Sequence, residues 1–113
     1  MSDAVLEGLP APVARFVQAI NGADTDAFVA TFTETGFVDD WGRVLSGPVG
    51  VRSWAQSDAI GAGARMTVLD VVIDGDVVTT RFDWRSRVFN GESTGIFVVD
   101  GDRLASFTIP PNH

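Results

Sequence analysis

Acid–base or nucleophilic chemistry in this chain has to come from Asp, Glu, Arg, Ser or Thr. The 113 residues include no Cys, no Tyr and no Lys, and the single His is the last residue, His113. The absent side chains, with His, are the usual nucleophiles, bases and metal ligands. The best remaining candidate is Asp40, in the run Gly36-Phe37-Val38-Asp39-Asp40-Trp41-Gly42-Arg43. This run reads as a short strand, Phe37 to Trp41, entering a turn. Adjacent strand residues point to opposite faces, so one of Asp39 and Asp40 should face inward. A carboxylate turned in among Trp and Phe is desolvated, which makes it a stronger base. The competing reading is that both cap a turn before Gly42, or that Asp40 pairs with Arg43, because Asp is a favoured turn residue. Spacing alone leaves both open.

A second polar pattern lies in Thr80-Arg81-Phe82-Asp83-Trp84-Arg85-Ser86-Arg87. Strand alternation puts Arg81, Asp83, Arg85 and Arg87 on one face and Val78, Phe82, Trp84 and Val88 on the other. The simple expectation is a solvated outer face with charge pairs and an inner apolar face. A bulge that reverses the faces would instead turn Arg81 and Asp83 inward. Asp58 is a further polar candidate, on the Trp54 face of a helix, although it could merely cap the helix end. Phe16, Phe28, Trp41, Trp54, Phe82 and Trp84 could wall a pocket or simply fill a core, as large aromatics do.

These residues need elements to position them. Pro10 and Pro12 suit a helix entry, and Val13, Phe16, Val17 and Ile20 form an apolar stripe that Asn21-Gly22 ends. Asp24 is placed to cap a second helix, with Ala27, Phe28, Val29 and Phe32 on its buried side and Thr35-Gly36 as its breaker. Gly42 to Gly47 reads as a loop. Pro48 opens a third helix, with Val51, Trp54, Ala55 and Asp58 on one face, and Gly61 and Gly63 stop it. Residues 66–73, 77–89, 92–99 and 103–109 are rich in Val, Ile, Phe and Thr. Asp74-Gly75, Asn90-Gly91 and Asp100-Gly101 separate them as hairpin turns. Residues 1–9 read as a weakly structured lead-in. The order predicts one α+β domain over residues 1–113, with three helices over the concave face of a curved antiparallel sheet.

Composition narrows the partners. Eight basic against fifteen acidic residues leave a net charge of −7. That disfavours nucleic acid, which needs clustered cations, and anionic membrane surfaces. Without Cys there is no disulfide framework and no thiolate metal site. No signal peptide and no run of the roughly 20 apolar residues a membrane span needs is visible, so the expected location is cytoplasmic.

From Val13 to Ile109 the chain resembles the nuclear transport factor 2-like superfamily and, within it, the SnoaL-like branch. The resemblance rests on Arg15-Phe16-Val17, Asn21-Gly22-Ala23-Asp24, Phe32, Val38 to Arg43, Gly47, Trp54 and Asp100-Gly101-Asp102-Arg103-Leu104. It implies a cone-shaped, cystatin-like fold with a deep pocket and a homodimer formed through the sheet. Ketosteroid isomerases, a family used as a worked example of tuned acids, have their Asp base where Asp40 stands. Their oxyanion-holding Tyr and protonated Asp fall at Phe16 and near Gly95, so another donor such as Trp41, Trp54 or Ser93 would have to replace them. Limonene-epoxide hydrolases carry an Arg-x-Asp pair that Arg81-Phe82-Asp83 resembles, but their second Asp falls near Ile109. A SnoaL-type cyclase, with one Asp in an aromatic pocket, is the least contradicted relative.

Two functions are therefore expected. In the first, Asp40 is the acid/base of an isomerase or cyclase acting on an apolar cyclic or polyketide-like carbonyl compound. Phe16, Trp41, Trp54, Asp58, Phe82 and Trp84 hold the ligand, with no cofactor or metal. In the second, the same domain is a non-catalytic ligand-binding or dimeric interaction module. Fold alone does not choose between them.

Overall fold

The computed structural model describes residues 8–111, so most of the lead-in and His113 lie outside the described residues. Helix α1 spans Ala11–Asn21, with Pro12 in its first turn. Its apolar stripe is buried through Val13, Phe16, Val17 and Ile20, as the helical spacing predicts. The Asn21 side chain then ties the end of α1 to the sheet. Its Oδ1 accepts from the Met66 N–H at 2.7 Å and its Nδ2 donates to the Met66 carbonyl at 2.9 Å. Helix α2 spans Thr25–Ala30, and Asp24 caps it by accepting from the Ala27 N–H at 3.0 Å.

The second helix is shorter than its sequence pattern predicts. Phe32 is already the first residue of strand β1, Phe32–Asp40, and Gly36 lies inside that strand instead of breaking a helix. The register against the neighbouring strand shifts between Phe32 and Phe37, and a Cβ at Gly36 would come within 3.0 Å of the Leu104 carbonyl oxygen. Glycine here allows two backbones to meet at a bulge. The expected loop after Gly42 is also partly a strand: β2, Arg43–Ser46, pairs back onto β1. Trp41 and Gly42 form the two-residue turn between them, both with positive φ (56° and 90°). That is the backbone of a type I′ hairpin turn, which matches strand twist.

Helix α3 spans Gly47–Asp58, buries Val51, Trp54 and Ala55, and gives way to a 3₁₀ turn, Ile60–Ala62, ending at left-handed Gly63. Strands β3 (Arg65–Asp74), β4 (Val77–Arg85), β5 (Asn90–Asp100) and β6 (Arg103–Ile109) follow as an antiparallel meander. The β4–β5 turn sits at Ser86–Phe89, not at Asn90-Gly91, which begin β5. The Ser86 hydroxyl accepts from the N–H groups of Val88 and Phe89 and closes that turn. The sheet order is β2-β1-β6-β5-β4-β3, and β1 pairs with β6 in parallel. The sheet is therefore mixed, a departure from the expected antiparallel one. Its register shifts in β1, β3 and between β5 and β6 help to curve it. The three helices cover its concave face and the core lies between.

Candidate active site

Val38 is fully buried, and Asp40, two residues on, shares its inward face. Asp39 points the other way and accepts from the Gly42 N–H at 2.9 Å, so it caps the hairpin turn. The sequence alternatives divide between the two residues: Asp39 serves the turn and Asp40 turns into the fold. There Asp40 Oδ2 accepts from the Trp54 indole N–H at 3.0 Å. The same oxygen lies 3.5 Å from the Arg43 guanidinium, which also pairs with Asp58 at 2.8 Å. The Asp40 side chain is 21 % exposed. It is therefore not enclosed by rings alone, but held by two donors at the edge of a hollow.

That hollow has a volume of about 320 Å³ and lies under the β1–β2 turn, between α3 and the inner faces of β4 and β5. Asp40, Trp41, Trp54, Asp58, Phe82 and Trp84 all line it. Four further residues complete the lining: Val88, Phe89, Ser93 and Ile109. Trp41 is 59 % exposed and, with Val88 and Phe89 of the β4–β5 turn, forms an apolar lip. Trp54 packs at the back, its ring 5.9 Å from that of Trp84. The chain's three tryptophans thus all border the one cavity.

Phe16, expected on the cavity wall, does not reach it. Its exposure is 0 %, and its ring packs against Phe107 at 4.6 Å, Phe97 at 4.9 Å and Phe28 at 5.0 Å. It faces the deep end of the cone, which these rings fill. Gly95 belongs to the same plug. A Cβ there would come within 2.6 Å of a Phe107 ring carbon and 2.9 Å of a Phe82 ring carbon. An acid in place of Gly95 would have no room, so both oxyanion positions of a steroid isomerase are occupied by phenyl packing.

Arg81 and Asp83 face outward, following simple alternation. Arg81 pairs with Glu92 at 2.6 Å, and Asp83 accepts from Arg85 Nε at 3.0 Å. That hydrogen bond, and then the Asp83 charge, hold the Arg85 guanidinium above its usual value. An Arg-x-Asp catalytic pair inside the cone is thereby removed. Arg87 has left the strand and donates to the Gly61 carbonyl across the 3₁₀ turn. Among the described residues, no group of three or more His, Asp or Glu could hold a metal ion.

A family model of the SnoaL-like domain matches residues 13–107. The chain belongs to the SnoaL-like family. A candidate polyketide cyclase from Sinorhizobium meliloti superposes with a TM-score of 0.81 at 27 % identity, covering 92 % of this chain and 97 % of that one. SalBIII, an epoxide hydrolase/cyclase-like enzyme in pyran ring formation in the polyether salinomycin, gives 0.78 at 19 % identity, covering 88 % and 86 %. A ketosteroid isomerase-like protein of Catenulispora acidiphila, bound to trimethylamine, gives 0.75 at 19 %, covering 88 % and 84 %. At such identities the last two share the fold with this SnoaL-like chain and nothing narrower. A comparison with curated proteins finds no match.

Sequence reasoning put Val88 on the inner face of its strand but did not place Phe89, Arg43 or Ile109 in the site. Val88-Phe89 were legible only as the end of a strand, because the early turn at Ser86 carries no Gly or Pro. Arg43 was weighed as a partner of Asp40, but its bridge to Asp58 depends on how α3 crosses the hairpin. Ile109 is brought beside Asp40 by the parallel β1–β6 register, for which no local signal exists.

Proposed function

We propose that this cavity binds a small apolar carbonyl compound and that Asp40 acts on it as an acid/base. The observation that carries the reading is the Trp54 N–H to Asp40 Oδ2 hydrogen bond inside an aromatic hollow. It fixes the direction of one carboxylate oxygen and leaves the other for a ligand. A cavity of about 320 Å³ has room for about ten water-sized groups at about 30 Å³ each, near the lower end for small-molecule sites. A mono- or bicyclic ketone fits that volume better than a steroid. Asp40 would take a proton from the carbon next to the carbonyl and return it to another carbon or to the same one. The C–H electron pair moves onto the carbonyl oxygen meanwhile. Trp41, Trp54, Phe82 and Trp84 would pack the rings, and no cofactor is required for such a proton shuttle.

The second reading is a ligand-binding module without turnover. It is favoured by Arg43 and Trp54 both engaging Asp40 Oδ2, and by the phenyl packing at Phe16 and Gly95, where the resemblance to steroid isomerases implies oxyanion donors. The two readings separate in one experiment. Because there is no Tyr and all three Trp line the cavity, intrinsic fluorescence reports on the site. A bicyclic ketone such as 1-tetralone should quench it saturably, and NMR in D₂O should show catalysed exchange of the protons next to the carbonyl. Binding without exchange across a panel of mono- and bicyclic ketones overturns the catalytic half. No saturable quenching by any of them overturns the cavity reading.

The same proposal includes a homodimer in the cytoplasm. Val72 and Val77, exposed on the outer face of β3 and β4, supply apolar surface for the contact. A monomer in sedimentation at micromolar concentration refutes the dimer, and cell fractionation tests the location. Among the described residues no helix is long and apolar enough to cross a membrane.

A further inference from the structure

The cavity lining is chemically lopsided. Asp40 and Asp58 offer only acceptors when ionised, and the Trp54 N–H is spent on Asp40. Trp41 stands at the mouth and is mostly exposed. Ser93 differs from all of these. It lies on β5 directly across from Phe82 and shares the inner face with Gly95 and Phe97. It is 4 % exposed and lines the cavity. The other buried hydroxyl on this face, at Thr80, donates to the Gly95 carbonyl at 3.0 Å. The Ser93 hydroxyl makes no hydrogen bond among the described residues, and it is not sealed off as a buried unsatisfied atom. Its opening is therefore toward the hollow. A hydroxyl kept in an apolar wall costs free energy unless something pairs with it.

We propose that Ser93 is the donor that holds the ligand's carbonyl oxygen. The ligand then lies between an acceptor side, Asp40, and a donor side, Ser93, with aromatic rings above and below. This sets both the class and the orientation of the ligand: it carries an acceptor oxygen on one side and an acidic C–H on the other. When Asp40 takes the proton, the electron pair released onto the oxygen is met by the Ser93 O–H, and returning the proton reverses that shift. Ser93 thereby takes the role that Phe16 and Gly95 cannot fill.

The assignment rests on the cavity reading above, and a matched ligand pair tests it separately. 1-Tetralone and tetralin have the same bicyclic skeleton, with and without the carbonyl. Tryptophan fluorescence titration of the wild type should show a preference for the ketone. Ser93→Ala should weaken 1-tetralone binding about three- to tenfold, the worth of one net hydrogen bond, and leave tetralin binding unchanged. Ser93→Cys, close in size but a weak donor, should lose the same preference, and Ser93→Thr should regain it. Equal affinity of Ser93→Ala and wild type for the ketone overturns the assignment. So does an equal loss for both ligands, which would mean packing alone. A wild type that binds both ligands without preference refutes the donor. A wild type that binds neither refutes the cavity reading and the assignment falls with it.

Discussion

Replacing Asp40 in two ways separates its structural and chemical roles. The Trp54 side chain lies in a residue that is 1 % exposed, and its only N–H donates to Asp40 Oδ2. Asp40→Asn keeps a carbonyl oxygen that can accept that N–H. It also loses the attraction to Arg43, but that guanidinium is half-exposed, so the loss is small. Asp40→Ala removes the acceptor. A buried donor left unmet costs about 1–3 kcal/mol, and the adjoining cavity can admit water, which puts the value here at about 1–2 kcal/mol. For a domain near this size that is a fall in Tm of about 4–8 °C for Ala, against about 2 °C or less for Asn. Circular dichroism melts measure both. Proton exchange into 1-tetralone should fall about 10²- to 10⁴-fold in both variants, the usual worth of a positioned acid/base. If Asp40→Ala melts with the wild type, the Trp54 hydrogen bond anchors nothing and the positioning argument fails. If Asp40→Asn retains full exchange, the carboxylate is not the base.

Gly95→Ala should lower stability by about 1–3 kcal/mol, because its Cβ would displace the Phe107 and Phe82 rings, and a urea melt reads this directly. Phe16→Leu should cost about 1 kcal/mol or more in the same assay yet leave ketone affinity unchanged, since its ring touches only the core. Arg81→Gln and Asp83→Asn should leave proton exchange at the wild-type rate, because both side chains face outward; a large loss in either would place the chemistry on the wrong side of β4.

Elements with strong periodicity were legible from sequence. The stripe Val13, Phe16, Val17, Ile20 describes α1, and Asp24 caps α2 as its chemistry demands. The meander was readable because Asp74-Gly75 and Asp100-Gly101 mark its turns, with both glycines at positive φ. What was hidden depends on partners distant in sequence. Phe32 reads as helix by spacing, but it pairs with Leu104 of β6 as the start of β1, a partner 72 residues away that local spacing does not reveal. The hairpin at Trp41-Gly42 was masked by a Trp where Asn or Asp is the usual choice.

The candidate site shows the same division, and the reason bears on function. Aromatic residues advertise themselves in a sequence, but their partition between core and cavity does not. Phe16 and Trp54 have equal claims by composition; one ends in the plug and the other on the wall. The decision is made by Gly95. Lacking a side chain, it lets Phe107 and Phe82 close over the deep end of the cone, and Phe16 packs behind them. The open volume is thereby pushed toward the mouth, beside Asp40 and Ser93. The position of the hollow beside Asp40 and Ser93, and the exclusion of Phe16 from its wall, then follow from one glycine and the phenyl rings packed against it.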